Sequence, residues 1–183
     1  MTNEKEPHIL TAAFTGYRPE KMPFAEKASD PDYLRFRTAE ARVLRMLAEQ
    51  GYTRFVTGLA KGFDTWIAED VLALKEEFPS IILHCAVPFP EQDGGWAEED
   101  RARRRSICEQ ADQVVTVSPR YTRQCYFVRN TYMVDMADTV VCAYDGRRGG
   151  TAYTVNYAVS QNKHVICINP KTGEVKLLGK PMN

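Results

Sequence analysis

Closely spaced cysteines, an excess of charge of one sign and long apolar runs are all missing from this chain of 183 residues. The five cysteines are widely separated, which argues against a zinc site built from paired thiolates, and we predict no metal site. Most of them lie in apolar segments, where reduced cysteine acts as a small hydrophobic residue. No run approaches ~18 apolar residues, so the sequence predicts no membrane-spanning helix.

The formal charges cancel: 24 lysines and arginines face 24 aspartates and glutamates, and the net charge is zero. Proteins that coat nucleic acid usually carry a basic excess, because they neutralise backbone phosphates. The balance therefore argues against nucleic acid as a partner, although a local basic patch is compatible with it. The N-terminal MTNEKEPHIL lacks the basic start and apolar core of a signal peptide, so we expect a reduced, cytoplasmic protein.

Short apolar runs alternate with segments of helical periodicity along the chain. The runs predicted as strands are residues 9–14, 54–57, 81–87, 114–117, 139–144 and 165–168. They are continuous rather than alternating, as expected for strands buried on both faces. The apolar faces predicted for the intervening helices are Phe36, Ala39, Val43 and Leu47, then Ile67, Val71, Leu74 and Phe78, then Cys125, Val128, Tyr132 and Met136, and finally Ala152, Val155 and Val159.

This alternation predicts one doubly wound α/β domain over residues 1–183. Strands joined through helices imply right-handed crossovers, so we expect a doubly wound, mostly parallel sheet of six to seven strands flanked by helices. A turn at residues 171–173 precedes a short closing segment that is a candidate edge strand. In such sheets ligands bind at the carboxyl ends of the strands, where loops lead into helices.

The loop after the first strand has the sequence FTGYRPEK. Gly16 permits a tight turn there, and Arg18 supplies a forked, permanently charged donor for a phosphate or carboxylate. Tyr17 is a candidate for the wall of a pocket. The alternative is a surface turn with a solvated arginine.

The loop after the second strand is part of VTGLAKGFDTWIAED. Gly58, Ala60 and Gly62 keep side chains away from a helix that is predicted to start near Asp64. Helix N-termini present free N–H groups that suit an anion. Two roles are open to Asp64, as a helix cap or as an acceptor for a ribose or base. The glycine spacing, and the lack of an acidic residue at the end of the next strand, exclude the dinucleotide fingerprint of dehydrogenases.

Beyond the third strand, Phe89, Gln92 and Trp96 are further candidates for a pocket wall. Residues 98–105 then place acidic side chains before basic ones, which is typical of a solvated helix whose charges complement its dipole. Further along, Arg129 and Asn130 stand in an otherwise apolar helix, where an arginine is costly unless it is paired. Arg129 therefore has either a structural role or a ligand contact.

The string AYDGRRGGTAYTVNYA repeats the order of strand, glycine loop and helix start. Gly149, Gly150 and Thr151 form a candidate phosphate cradle beside Arg147 and Arg148. The alternative is a glycine turn in which Thr151 caps the helix. Two such loops after two parallel strands favour a shared phosphate-binding site.

Five strings, TGYRP, VTGLAKGFDTWIAED, AVPFPEQ, RNTYMVDMAD and AYDGRRGGTAYTVNYA, resemble in content and order the YpsA-like family of the SLOG superfamily, over residues 10–168. That superfamily also includes DprA-type DNA-uptake proteins and LOG-type phosphoribohydrolases. The resemblance implies a Rossmann-like domain whose glycine loops bind a nucleotide or nucleotide-derived ligand, with no other cofactor. It also implies a homodimer and a protein partner linked to cell division or envelope processes in bacteria.

One departure from the LOG-type enzymes bears on catalysis. They are similar in their double glycine and threonine, but they carry a catalytic glutamate three residues later, where this chain has Thr154. Cleavage of a glycosidic bond needs a carboxylate to stabilise the transition state or to activate water. We therefore expect binding or sensing of the ligand without catalysis.

Two alternatives remain at this level. The first is a LOG-like N-glycosidase acting on a nucleoside monophosphate, in which Asp64 or Glu69 replaces the missing glutamate. The second is DprA-like binding of single-stranded DNA, for which the candidate basic residues are Arg101, Arg103, Arg104 and Arg105.

Overall fold

The computed structural model describes residues 8–179, which form a seven-stranded sheet flanked by five α-helices. The strands are β1 (Thr11–Gly16), β2 (Arg54–Thr57), β3 (Ile82–Val87), β4 (Gln113–Thr116), β5 (Thr139–Ala143), β6 (His164–Ile168) and β7 (Val175–Gly179). The helices are α1 (Pro31–Glu49), α2 (Phe63–Leu74), α3 (Glu98–Gln110), α4 (Cys125–Met136) and α5 (Gly150–Ser160). All six strands predicted from the sequence are confirmed.

The sheet has the order β4-β3-β2-β1-β5-β6-β7. Strands β1 to β6 pair in parallel, and β7 pairs antiparallel with β6, which confirms the candidate edge strand. The predicted doubly wound, mostly parallel α/β fold is therefore correct. The order in which the chain adds strands reverses at β1: β2, β3 and β4 lie on one side of it, and β5, β6 and β7 lie on the other. Folds of this kind bind ligands in the crevice at such a switch point.

Helices cover both faces of the sheet, and each face has its own apolar core. Helices α1, α2 and α3 pack on one side, through residues such as Phe36, Ile67 and Ile107. Helices α4 and α5 pack on the other side, through residues such as Met133 and Val155. All five cysteines are free.

The predicted apolar faces of α4 and α5 are wrong in part. Val128 and Val159 are exposed, at 46% and 39%, while Arg129 and Thr154 are buried. These two helices turn polar side chains inward, where Asn130 donates a hydrogen bond to Thr154. A pattern of apolar residues alone does not reveal such a polar contact between helices.

Two smaller expectations are also corrected. Strand β4 is exposed along its whole length, because it is the edge of the sheet, and so it is not buried on both faces. Helix α2 ends at Leu74, which leaves Phe78 in the turn that follows it. Across residues 8–179, none of the helices has the length and apolar character needed to span a membrane.

Candidate ligand-binding site

A cavity of about 380 Å³ opens at the carboxyl edge of the sheet, beside the end of β1 and the first turns of α2, α4 and α5. The described residues that line it are Thr15, Gly16, Tyr17, Arg18, Lys21, Ala60, Asp64, Arg123, Tyr126, Phe127, Arg129, Asn130, Gly149, Gly150 and Thr151. Ten of these were singled out from the sequence, and they come from separate loops and helix starts that the fold brings together.

Gly58 and Gly62 shape the second loop but do not line the cavity. A Cβ atom at Gly58 would lie 1.5 Å from Nη1 of Arg129, so the glycine makes room for that guanidinium. Gly62 is the N-cap of α2, and its φ of +89° is a conformation that favours glycine. A Cβ at Gly62 would also lie 2.8 Å from the carbonyl oxygen of Tyr17. Both glycines are therefore needed for the loop's backbone path.

Phe89, Gln92 and Trp96 lie outside the cavity lining, in contrast to Tyr17. Phe89 is buried and packs edge-on against the ring of Tyr126, with centroids 5.8 Å apart. Gln92 is buried too, and its amide donates to the carbonyl oxygens of Gly58 and Leu59 at 3.3 Å. Phe89 thus supports the lining residue Tyr126 from behind, and Gln92 holds the backbone of the second loop.

Asp64 and Arg129 form a buried pair of opposite charges at the base of the cavity. Their side chains are only 8% and 6% exposed, and Nη1 of Arg129 lies 3.8 Å from Oδ2 of Asp64. The same nitrogen donates to the carbonyl oxygen of Gly58. Oδ2 of Asp64 accepts from the backbone N–H of Ala60 at 3.3 Å. Because Gly62 is the N-cap, the interpretation of Asp64 as a cap is wrong.

Burial dominates the acid–base properties of this pair. It raises the pKa of Asp64 to about 6, against the opposing influence of Arg129 and of the Ala60 N–H. Burial also lowers the pKa of Arg129, while Asp64 acts in the opposite direction. Desolvation therefore outweighs the attraction between the two charges in both groups.

This raised pKa predicts a pH-dependent stability. Folding raises the pKa of Asp64 from ~3.9 to about 6, so the folded chain binds the proton more tightly and its free energy of unfolding falls as pH rises through this interval. The full effect is about 3 kcal/mol. A carboxyl ¹³C titration should place the Asp64 midpoint near pH 6. A midpoint near pH 4 would contradict the structure.

Arg129 and Asn130 connect two of the loops that border the cavity. Nε of Arg129 donates to Oδ1 of Asn130 at 2.8 Å, and Nδ2 of Asn130 donates to the Thr154 hydroxyl at 2.8 Å. That hydroxyl donates in turn to the carbonyl oxygen of Gly150 at 3.0 Å. The chain of contacts runs from the Gly58 loop to the first turn of α5. Asp135, which is on the same helix as Arg129, accepts from the Tyr157 hydroxyl.

The first turn of α5 presents backbone donors to the cavity. Gly149 is the N-cap, with a φ of +151°, so the interpretation of Thr151 as the cap is wrong. The N–H groups of the first turn, including those of Gly150 and Thr151, have no acceptor within the helix. Together with the helix dipole, they make this a favourable position for an anion.

Three cations at the cavity form no salt bridge to a carboxylate in the described range 8–179, although Arg18 attracts the buried Asp64 at longer range. Arg18 lies over the ring of Tyr126, with 5.7 Å from its guanidinium carbon to the ring centroid. Lys21 reaches the glycine loop, because a Cβ at Gly149 would lie 3.1 Å from its Nζ. Arg123 lies two residues before the start of α4 and is exposed. The cavity is therefore locally positive, although the net charge of the whole chain is zero.

Lys21, Arg123, Tyr126 and Phe127 are the cavity residues that sequence reasoning missed, together with Thr15. A signal was available for Arg123, since it stands in the loop between β4 and α4, at the same edge of the sheet as the glycine loops. Lys21 arrives through a 3-10 turn (Pro19–Lys21) that no periodicity predicts.

Contacts between polar groups connect the loop after β1 to the loop after β5. The Tyr17 hydroxyl donates to Oδ1 of Asp145 at 2.7 Å, and burial, then this hydrogen bond, raises the pKa of Tyr17 to about 12. Arg147 donates to the same oxygen at 2.9 Å and to the carbonyl oxygen of Lys21 at 2.7 Å. Its guanidinium lies over the Tyr17 ring, 4.7 Å from the centroid. These contacts position Lys21 beside Gly149.

The arginine-rich helix α3 provides no free basic patch. Arg101 and Arg105 both pair with Glu98. Arg103 donates two hydrogen bonds of 2.6 Å to Glu69 and a third to Glu26, and Arg104 pairs with Asp93. The helix is therefore locally neutralised, and its four arginines are separate from the cavity.

Comparison with known proteins shows both the family and the fold. The YpsA family model, described as the YspA SLOG family, matches residues 12–170. UPF0398 proteins of Bacillus thuringiensis strain Al Hakam and Bacillus cereus strain Q1 are each 26% identical over 166 residues, covering 90% of this chain and 84% of the relative.

Two solved structures of DNA processing protein A have a similar fold. The protein from Streptococcus pneumoniae matches with a TM-score of 0.61 at 18% identity, covering 88% of this chain and 50% of the other. The protein from Helicobacter pylori, described by its single-stranded DNA binding mode, matches with a TM-score of 0.58 at 15% identity, covering 87% and 65%. This chain thus spans one half to two thirds of their length.

These matches contradict the argument from net charge against nucleic acid as a partner. A protein with this fold is described as binding single-stranded DNA, so the fold does not exclude such a partner. Net charge averages over the whole surface, whereas here the paired arginines of α3 and the unpaired cations of the cavity lie in different places. The matched range of residues 12–170 establishes that the chain belongs to the YspA SLOG family.

Proposed function

We propose that the protein binds a nucleotide or nucleotide-derived ligand in this cavity, with the phosphate against Gly149, Gly150 and Thr151. The observation that carries the proposal is the convergence of unpaired cations on the free N–H groups of the first turn of α5. Lys21 already lies beside the glycine loop. Arg18 and Arg123 provide forked donors for further anionic oxygens.

The cavity also sets limits on the ligand. Its volume of about 380 Å³ is small among ligand pockets, which span roughly 300–1,000 Å³, and this favours a mononucleotide over a dinucleotide. Asp64 is the single carboxylate among the described lining residues, and it can accept from a sugar hydroxyl or a base.

Binding without turnover is the form of the proposal that the residues support. The Thr154 hydroxyl stands where LOG-type enzymes carry their glutamate, and it is engaged by Asn130 and Gly150. Glu69 is held by two hydrogen bonds from Arg103 and faces the groove between α2 and α3. Asp64 alone remains for an N-glycosidase. Hydrolysis of a bound nucleoside monophosphate that ceases in Asp64→Asn would support that alternative.

A thermal-shift screen of AMP, ADP, ADP-ribose and NAD tests the proposal. A ligand at about 100 times its dissociation constant adds about 2.7 kcal/mol to the free energy of unfolding. For a domain of this size the melting temperature should rise by roughly 5–10 °C. A melting temperature unchanged by every compound would contradict nucleotide binding.

Single-stranded DNA is the second candidate function, and a specific observation favours it. Arg120, Arg123 and Arg148 are exposed at this edge of the sheet without a carboxylate partner among residues 8–179, and Tyr121 and Phe127 are exposed near them. Cations interleaved with aromatic rings suit a single strand, whose bases stack while its phosphates pair. The description of the Helicobacter pylori protein agrees with this candidate.

Binding measured with DNA of increasing length separates the two candidate functions. Titration with dTMP and with oligothymidylates of increasing length should give one affinity for all if the cavity takes a single nucleotide. Affinity that rises with length and falls steeply with salt would support a DNA-binding groove instead. The cytoplasmic location, the homodimer and the protein partner remain predictions from the sequence and the resemblance.

A further inference from the structure

Two aromatic side chains touch each other at the mouth of the cavity while remaining largely open to solvent. Phe127, which lines the cavity, is 42% exposed, and Tyr153 is 44% exposed. Their ring centroids are 4.7 Å apart, with the planes at 72° to each other. A lone exposed aromatic residue needs no explanation, but a braced pair at the rim of a polar cavity presents an apolar surface to whatever enters it.

The fold places this aromatic pair close to residues 149–151, where the phosphate is proposed to bind. Phe127 lies in the first turn of α4, and Tyr153 lies in the first turn of α5, two residues after Thr151. The backbone N–H of Tyr153 donates to the carbonyl oxygen of Gly149 at 3.1 Å, so its position is tied to the glycine loop. A ligand with its phosphate at Gly149–Thr151 therefore has an aromatic surface directly beside it.

Phe127 is the ring of this pair that faces the ligand, and Tyr153 meets it in a T-shaped contact from outside the cavity lining. Such a contact restricts the ring and covers at most one of its two faces, so a face remains for a planar group. The one side-chain amide among the described lining residues is already engaged, because Asn130 bonds with Arg129 and Thr154. Stacking, which every base can make, is therefore available here, and none of the described lining residues offers a free side-chain amide that would read one base.

We propose that Phe127, braced by Tyr153, is the surface on which the ligand's base stacks, so that the site takes nucleoside 5′-monophosphates with little preference for the base. The inference rests on the proposed function and extends it from the phosphate to the base. It distinguishes a nucleotide from a sugar phosphate, which uses the same cations and glycine loop but has nothing to stack.

Calorimetric titration of AMP and of ribose 5-phosphate into wild type and Phe127→Ala tests the proposal. The substitution should weaken AMP binding by roughly 5- to 150-fold, the range measured for losing one stacked base, and should change ribose 5-phosphate binding by less than about twofold. Phe127→Trp should retain AMP binding, because it keeps a larger ring face. Val128→Ala is the matched control, since Val128 is equally exposed on the same turn but does not line the cavity.

The outcomes separate this inference from the proposed function. If wild type binds AMP and ribose 5-phosphate equally and Phe127→Ala changes neither, the phosphate site stands and base stacking is refuted. Equal weakening of both ligands also refutes stacking, because the effect then lies at the phosphate. If wild type binds neither compound, both proposals fail.

Discussion

Replacing Gly150 by aspartate should weaken AMP binding by roughly 200-fold. An aspartate at this position places a negative charge about 5 Å from the proposed phosphate, and the repulsion is about 3 kcal/mol at the effective dielectric constant of ~20 that suits a protein surface. The fold should tolerate the change, because a Cβ at Gly150 meets nothing within 4 Å. An acidic side chain in the first turn also interacts favourably with the helix dipole, so the melting temperature of the variant should equal or exceed that of wild type.

The matched control for this variant is Gly150→Ala, which adds a methyl group in the same open space and no charge. Its affinity for AMP should stay within a few-fold of wild type. Equal loss of binding in both variants would assign the effect to shape instead of charge. Full retention of AMP binding in Gly150→Asp would show that the phosphate lies elsewhere.

Removing the buried cation should have the largest effect on stability. We expect Arg129→Met to lower the free energy of unfolding by about 3 kcal/mol at pH 8, because Asp64 would remain buried and ionised without its partner. The Gly58 carbonyl oxygen would lose its donor as well. Urea denaturation measured at pH 8 and pH 5 checks this, and the deficit should shrink at pH 5. The reason is that the pKa of Asp64, which the Arg129 charge lowers, rises further once Arg129 is gone, so that Asp64 takes up a proton more readily at pH 5.

Two variants control for the Arg129 substitution. Arg123→Met removes an exposed arginine from the same cavity and should change the free energy of unfolding by less than about 0.5 kcal/mol. The double variant Arg129→Met with Asp64→Asn should recover part of the loss, since the uncompensated charge is gone. An Arg129→Met protein as stable as wild type at pH 8 would mean that water, and not the guanidinium, compensates Asp64.

The sheet was predictable from the sequence because its central strands are buried on both faces, so that each reads as a continuous apolar run bounded by glycine or charge. Strand β4 was recognised by the same signal, although it lies exposed at the edge. The apolar face of helix α1 was predictable, since Phe36, Ala39, Val43 and Leu47 are all buried, although Glu40 is buried beside them. Helices α4 and α5 were harder, because Arg129 and Thr154 lie on their buried faces.

The site was predictable only to the level of its loops. Glycines at strand ends, combined with the rule for doubly wound sheets, led to Gly16, Ala60 and Gly150, which the fold brings to one cavity. Gly58 and Gly62 are needed because atoms of other residues lie close to them in the folded chain. No spacing in the sequence shows that a guanidinium approaches Gly58.

Some side chains that reach the cavity from outside the glycine loops, Phe127 among them, had no such signal. Phe127 belongs to a helix whose apolar pattern suggested the core, and its exposure follows from the way that helix turns to bury Arg129 and Met133. The engagement of Thr154 by Asn130 is likewise a contact between two helices. It ties α4 to the first turn of α5, because the Thr154 hydroxyl also donates to the carbonyl oxygen of Gly150.

Titration of ¹⁵N-labelled protein with AMP, followed by amide resonances, tests the central claim most directly. The account predicts saturable shifts of the Gly149, Gly150 and Thr151 amides, which lie where the phosphate is proposed to bind, with no matching change in the groove between α2 and α3 at Glu69 and Gln110. If these three amides stay unshifted at saturating AMP while others move, the cavity at the carboxyl edge of the sheet is not the nucleotide site.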